Sequence, residues 1–206
     1  MKTKLKNIFL IGAGGHAKSC IDVIESTEMF SIKGLFGYEN QVGENILGYE
    51  IIDKIENLIN YSNKNDFFLI TIGLVNNGDF RKNIFEKYYK KLKFATIISP
   101  RSYIAKNSTI GNGSIIMHDV LINSDVNIGL NCIINSKSLI EHESVIKDHC
   151  HLSTNAVING NVKVGENSFI GSGSIIKNGI TLPPYSFVPM GRKVTDEKRI
   201  ITNYEK

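Results

Sequence analysis

Three of the five histidines in this sequence fall within ten residues: His142, His149 and His151, in Ile140-Glu-His-Glu-Ser-Val-Ile-Lys-Asp-His-Cys-His-Leu152. An imidazole titrates near neutral pH and can take or give a proton at a reacting centre. His142 is the best placed, because Glu143 follows it and Glu141 precedes it. A carboxylate beside the ring favours its protonated form and so strengthens it as a base. Neighbouring strand residues point to opposite sides, but at a corner His142 and Glu143 can both face outward. Three histidines in ten residues also suggest zinc. However, no further acidic or cysteine ligand has the right spacing, and His142 lies on a different edge from the other two, so no metal is expected. His149 and His151 flank Cys150 and should point outward on one side. His118 is expected at the surface.

The fifth histidine, His16, sits in Gly12-Ala-Gly14-Gly15-His16-Ala17. This turn follows an apolar strand and opens a helix. Glycines let the backbone approach a phosphate closely, and a helix N-terminus favours an anion. His16 could touch such a ligand, cap the helix or pack. A dinucleotide fold would place an acidic residue about twenty residues on, at the end of the second strand. Here that stretch reads Gly37-Tyr38, with Glu39 late. The pattern therefore points to one nucleotide-bearing ligand rather than to hydride transfer with NAD.

Two kinds of element must position these residues. From Ile104 to Leu182 every sixth residue is aliphatic, nearly always Ile, and the register never slips. Four residues after each stands a small or β-branched residue, such as Ser114, Cys132, Ser138, Ser144 and Cys150. A helix would show spacings of three and four, and a plain strand would alternate in twos. Period six fits short strands with one large and one small inward residue and a turn between, which is a hexapeptide-repeat parallel β-helix. Asn112, Asn131, Asn155 and Asn167 suit left-handed turn positions. Cys132 and Cys150 should be core thiols, one coil apart. A filled prism keeps His142 and His151 apart within one chain. They could line one groove only where neighbouring prisms pack side by side.

Residues 1–98 alternate strands and helices, which means a parallel sheet. Strands are expected at residues 7–11, 32–36, 67–73 and 94–98, and helices at 17–29 and 79–92. Lys87, Lys90, Lys91 and Lys93 should form a solvated helix face. Ser99-Pro100 marks the boundary, giving an α/β Rossmann-like domain over 1–98 and an all-β β-helix over 99–206 that ends in a polar, helix-like tail.

The 206 residues carry 24 Lys and Arg against 20 Asp and Glu. A net charge of +4 is too small to mark a nucleic-acid binder,. Three cysteines without a CxxC pair give no disulfide framework, so a reducing cytoplasm is expected,. The apolar stretch Ile8-Phe-Leu-Ile11 is too short for a signal or a span, so no membrane insertion is expected,.

The opening Ile8-Phe-Leu-Ile-Gly-Ala-Gly-Gly-His16, followed by Ile140-Glu-His142-Glu143 and His151 within hexapeptide repeats, resembles the NeuD/PglD group of sugar acetyltransferases. The resemblance runs over roughly residues 7–195. It implies a left-handed prism, a homotrimer with active sites between subunits, and acetyl-CoA as co-substrate. It implies His142 as the base that deprotonates the acceptor and Glu143 as the carboxylate that strengthens it. His151 would contact acetyl-CoA from the adjoining subunit, and Gly160 and Ser172 would line the thioester and pantetheine channel. Met190 and Arg192 would lie against CoA, with Arg192 near a phosphate. Gly14, Gly15, His16, Gly37, Tyr38 and Gly73 would hold a nucleotide sugar. The implied reaction is N-acetylation of a UDP- or GDP-linked 4-amino-4,6-dideoxy sugar for a bacterial surface glycan. Sialic acid O-acetylation and a zinc carbonic anhydrase-like trimer are the alternatives. Gly37-Tyr38, the residues after Gly73 and the tail Val188-Pro-Met-Gly-Arg-Lys193 depart from the family pattern. The catalytic pair does not.

Overall fold

The computed structural model describes residues 5–61, 63–73, 78–196 and 201–202. The first region is a six-stranded sheet. Its elements are β1 (Lys6–Ile11), α1 (Gly15–Ser26), β2 (Phe30–Gly37), β3 (Asn45–Ile46), β4 (Tyr49–Lys54), β5 (Phe67–Ile70), α2 (Asp79–Tyr88) and β6 (Lys93–Phe94). The strand order is β3-β4-β2-β1-β5-β6, parallel except for the β3–β4 hairpin. β1 reads as a nearly continuous apolar run because both of its faces are covered, and Ile8, Leu10 and Ile11 are buried,. The chain leaves β1 for β2 on one side and later returns to β5 on the other. Such a switch point opens a crevice at the carboxyl ends of the strands, and the glycine turn lies there.

The expected elements are present with shifted ends. Helix α2 stops at Tyr88, and the β3–β4 hairpin was not foreseen. The single strand expected at 94–98 is two strands. β6 closes the first sheet, whereas Ile97–Ile98 pairs with Ile115–Ile116 in the repeat region.

The rest is a three-sided prism of stacked parallel strands, most of them two residues long. Strands 18 residues apart lie in register, so Ile116 stacks on Ile134 and Leu152, and Ile122 on Ile140 and Ile158. The six-residue series forms one buried core with Cys132, Cys150, Ala156 and Val162 in the small positions. Turn residues at the three corners have positive φ, among them Asn131 (52°), Asn155 (58°) and Asn167 (52°). In the first coil that position is Gly113, at 76°, rather than Asn112. The expected helix-like tail is corrected in part: Ile201–Thr202 is a strand, antiparallel to Ser186–Phe187. Residues 197–200 and 203–206 lie outside the described residues.

The outward residue of each strand distinguishes the three faces. One face presents Ile97, Ile115, Ile133, His151 and Phe169; the first three pack with Ala17, Cys20, Ile21 and Ile24 of α1. We term it the docked face. A second, the open face, presents Tyr103, Leu121, Leu139, Val157 and Ile175. The third presents Thr109, Asn127, Val145, Lys163 and Thr181 and is mostly polar.

Candidate active site

Gly14, Gly15, His16, Gly37, Tyr38 and Gly73 line one cavity of about 280 Å³, with Gly12, Gln41, Thr71 and Ile72. The local backbone explains the glycines. Gly12 has φ +112°, and a Cβ there would stand 2.4 Å from Ile72 Cγ1. At Gly14 and Gly15 a Cβ would meet nothing within 4 Å, so these residues keep the floor open. Thr71 Oγ1 donates to the Gly12 carbonyl at 2.6 Å and stitches the turn to the end of β5. Gly14 caps α1, whose first turn carries no acidic residue, so the positive helix end faces the cavity uncompensated,. Burial and then the Arg81 guanidinium push the His16 imidazole down to about 4, so it is neutral at neutral pH. Its buried Nε2 has no hydrogen-bond partner among the described residues. The tyrosine that replaces the acidic residue of a dinucleotide site is exposed and stacks on Phe80, with ring centroids 6.5 Å apart. Residues 74–77, part of the departing loop, lie outside the described residues.

His142 stands at the corner between the open and polar faces. Its Nδ1 is 3.2 Å from Glu143 Oε2, and the two side chains are 62% and 65% exposed. Glu143 has φ +60°, the left-handed corner conformation that lets both side chains face outward. The same conformation recurs one coil before and after, at Asp125 and Asn161, so it belongs to the corner rather than to this residue. Gly160 lies one coil on, with its backbone beneath the His142 ring. A Cβ at Gly160 would sit 2.7 Å from both Cε1 and Nε2. With Nδ1–H donated to Glu143, Nε2 is left with the free lone pair.

His151 lies elsewhere. It is buried on the docked face, beneath its own chain's first domain, with its ring 6.3 Å from that of His16 and 5.2 Å from that of Phe169. One chain therefore does not bring His142 to the glycine cavity. Ser172 occupies the corner between the docked and open faces, with its hydroxyl 2.8 Å from that of Ser153. Met190, 79% exposed, stands one coil above Ser172, and exposed Arg192 follows it. Gly160 and Ser172 thus flank the open face on opposite edges and do not meet within the chain.

Two expectations for the other histidines are corrected. His149 does not point into solvent with His151. It fills a buried corner, where Asn131 Nδ2 donates to its Nδ1 at 3.0 Å and Phe85 meets it edge-on. Burial there lowers its pKa. His118 is not a free surface residue: it bridges Ser99 Oγ at 2.6 Å and Asp22 of α1 at 2.8 Å. The docking of one domain on the other covered both, and no local pattern encodes that event. Arg81, buried in α2, was missed for the same reason. Among the described residues no three His, Cys, Asp or Glu side chains are arranged to hold a metal ion. A larger concavity of about 800 Å³ lies near β6 and contains no expected site residue. Lys90, Lys91 and Lys93 line it with Lys64 and are exposed, as is Lys87, although helix α2 ends before the last three. No helix among the described residues is long and apolar enough to cross a membrane.

Residues 7–88 match the PglD N-terminal domain family, and residues 143–178 match the bacterial transferase hexapeptide family of six repeats. A curated, uncharacterized protein of Acanthamoeba polyphaga mimivirus is 30% identical over 122 residues, 59% of this chain. The chain spans 23% of that relative's length. Solved structures share the fold over nearly the whole chain. PerB from Caulobacter crescentus, in complex with CoA and GDP-perosamine, superposes with a TM-score of 0.84 at 23% identity, covering 94% of this chain and 91% of that one. The acetyltransferase domain of PglB from Neisseria gonorrhoeae, in complex with acetyl coenzyme A, gives 0.83 at 20% identity over 93% of each chain. WeeI from Acinetobacter baumannii gives 0.70 at 22% identity, covering 94% of this chain and 99% of that one. The prism is accordingly a left-handed parallel β-helix. The chain thus joins a region that matches the PglD N-terminal domain family to one that matches the bacterial transferase hexapeptide family.

Proposed function

We propose that this chain is an acetyl-CoA-dependent N-acetyltransferase. Its acceptor is the 4-amino group of a UDP- or GDP-linked 4-amino-4,6-dideoxy sugar, used in bacterial surface-glycan synthesis in the cytoplasm. The first domain, through β6, holds the nucleotide sugar, and the prism that begins at Ile97 carries the transfer. One observation carries the reading: an exposed His142, backed by Glu143 and seated on Gly160, in a chain that also has a glycine cavity with an uncompensated helix N-terminus. Two similarly folded proteins, PerB and the PglB domain, were crystallised with CoA or acetyl-CoA, and PerB also with a GDP-sugar.

The thioester is already activated, so the protein needs a base, alignment and a donor to the developing oxyanion. The acceptor nitrogen forms a bond to the acetyl carbonyl carbon, and the carbon–sulfur bond breaks. His142 Nε2 takes the proton from nitrogen and returns it to the departing CoA sulfur. Glu143 holds Nδ1–H and stabilises the imidazolium in between. His151, Gly160, Ser172, Met190 and Arg192 form the acetyl-CoA channel, and Gly14, Gly15, His16, Gly37, Tyr38 and Gly73 the acceptor pocket.

The site is completed between subunits of a homotrimer. Supporting this, His142 and the His16–His151 pair lie on different sides of the prism. The open face between their edges is apolar, with Leu121 39% and Ile175 38% exposed. A row of apolar side chains repeating every 18 residues on a surface is the mark of a partner.

The test is acceptor-dependent release of CoA thiol with a panel of UDP- and GDP-linked 4-amino sugars, sialic acids and CMP-sialic acid. Release with an amino sugar, lost in His142→Ala, is the expected result. Release only with a sialic acid would move the reading to O-acetylation, and no release with any acceptor would overturn it.

A further inference from the structure

Arg81 is 2% exposed, one of the largest fully buried side chains. Its guanidinium has no carboxylate partner among the described residues. The nearby thiols supply no counter-charge, because burial pushes Cys20 and Cys132 up to about 12 and keeps them protonated. Burial lowers Arg81 itself only to about 10, so it stays cationic at neutral pH. An unneutralised buried charge is expensive, and an apolar side chain of similar volume would fill the same space more cheaply. What Arg81 provides instead is directional bonding.

All its hydrogen bonds go to backbone carbonyls. Nη1 donates to the Ile70 carbonyl, and to that of Ile72 at 3.1 Å. Nε and Nη2 reach the Asn131 carbonyl at 3.4 and 3.5 Å. Ile70 ends β5, and the chain that follows it, Thr71 to Gly73, is one wall of the glycine cavity. Asn131 is a left-handed prism corner, φ +52°, whose amide also holds His149. One guanidinium therefore ties the cavity wall to the prism. Other cross-domain polar contacts, among them Asp79–Asn167, Lys82 with Tyr185 and Glu166, Glu86–His149 and Asp22–His118, do not touch that wall.

We propose that Arg81 is a positioning residue that fixes the height and tilt of the wall Ile70–Gly73 over the prism. A nucleotide sugar in the cavity is then presented to the transfer site at a set distance. This inference rests on the nucleotide-sugar reading of the cavity.

The experiment compares wild type, Arg81→Met and Arg81→Lys as full-length protein. It measures calorimetric binding of GDP and UDP, acceptor and acetyl-CoA KM with kcat, and amide hydrogen exchange. In Arg81→Met the diphosphate Kd and the acceptor KM should rise about tenfold, with acetyl-CoA KM within about twofold, because only the acceptor wall has moved. Exchange should quicken at residues 71–73 while the prism coil at 157–164 keeps its protection. Lysine keeps the charge and part of the donor set, and should recover part of the loss. Acceptor and acetyl-CoA KM moving together, with exchange faster throughout, would make Arg81 a stability residue and overturn the proposal. So would unchanged binding and exchange. If wild type binds no diphosphate and acetylates no acceptor, the functional reading fails, and exchange at 71–73 still decides whether Arg81 holds the wall.

Discussion

Two faces of the prism carry outer rows of similar apolar character. The docked row, Ile97, Ile115 and Ile133, disappears beneath α1, whereas the open row, Tyr103, Leu121, Leu139, Val157 and Ile175, stays at the surface. The hexapeptide rule leaves the outer row free, since inner positions alone fill the core. An outer row that is apolar nonetheless has a reason outside the coil. On the docked face the reason is in the same chain. On the open face, flanked by His142 and Gly160 on one edge and Ser172 on the other, we assign it to another copy.

The largest expected effect separates the two rows. Leu139→Glu on the open face should leave a folded monomer, by light scattering and circular dichroism, with CoA release down more than about a hundredfold, because the site loses its second half. Ile133→Glu buries an unpaired charge under α1 and should cost roughly 3–5 kcal/mol, seen as lost solubility or a collapsed melting temperature. A trimeric, active Leu139→Glu protein would refute the assignment of the open face.

Glycines sharpen the contrast next. The atoms nearest to a Cβ at Gly160 all belong to the exposed His142 ring, which can swing away at little cost to the fold. Gly160→Ala should therefore drop the rate roughly a hundredfold through misplacement of the base, with nearly unchanged melting. At Gly129 a Cβ would lie 2.7 Å from the Asp148 nitrogen and 2.9 Å from the Lys147 carbonyl carbon, which are backbone atoms that cannot swing. Gly129→Ala should instead lower the melting temperature. Equal stability losses would show that the His142 ring is held more tightly than its exposure implies.

These contrasts show which parts of the molecule were legible in the sequence. The inner row was read without error from Ile104 to Leu182, because one spacing rule governs each coil independently of everything else,. The glycine cavity was legible because a strand, a Gly-rich turn and a helix are contiguous in sequence. The fates of His118, His149 and His151 were not, since they depend on where one domain lands on the other. The open row was written in the sequence at a spacing of 18, but the six-residue rule constrains inner positions alone, so nothing in it singles out one outer row from the other two. Arg81 gave no signal at all: a lone Arg in an amphipathic helix is ordinarily solvated.

The seam between the two domains also titrates. His16 and His149 are held neutral there, His16 at about 4 against the ordinary 6.5, mainly through burial. The unfolded chain therefore takes up protons at a higher pH than the folded one. Stability should be flat above about pH 6.5 and fall as pH drops toward 4, as these rings are forced to charge. His16→Asn should flatten part of that slope in melting curves recorded from pH 7 to 4. A slope identical to wild type would mean that His16 is already solvated and that the cavity wall is looser than drawn. Leu139→Glu should leave the His16 share of the slope intact, because that ring sits beside the docked face.

The smallest effect lies behind the two faces, in the small inner positions. Behind the docked face Ser114 bridges coils twice: its hydroxyl donates to the Gly129 carbonyl at 2.9 Å and accepts from the Cys132 amide at 2.8 Å. The thiols of Cys132 and Cys150 sit in the same column and reach the Lys147 and Gly165 carbonyls at 3.2 and 3.0 Å. Behind the open face the column is Val120, Ser138, Ala156 and Ser174, and the Ser138 hydroxyl donates one bond, to the Ser153 carbonyl at 3.1 Å. Ser114→Ala strands two buried backbone groups and should cost about 2 kcal/mol, against about 1 kcal/mol for Ser138→Ala, by urea midpoints at constant m. Ser114→Cys should recover part of the loss, because the column already accepts a thiol there. If the two alanine variants lose equally, the bridging hydroxyl contributes no more than its cavity, and the columns behind the two faces are equivalent.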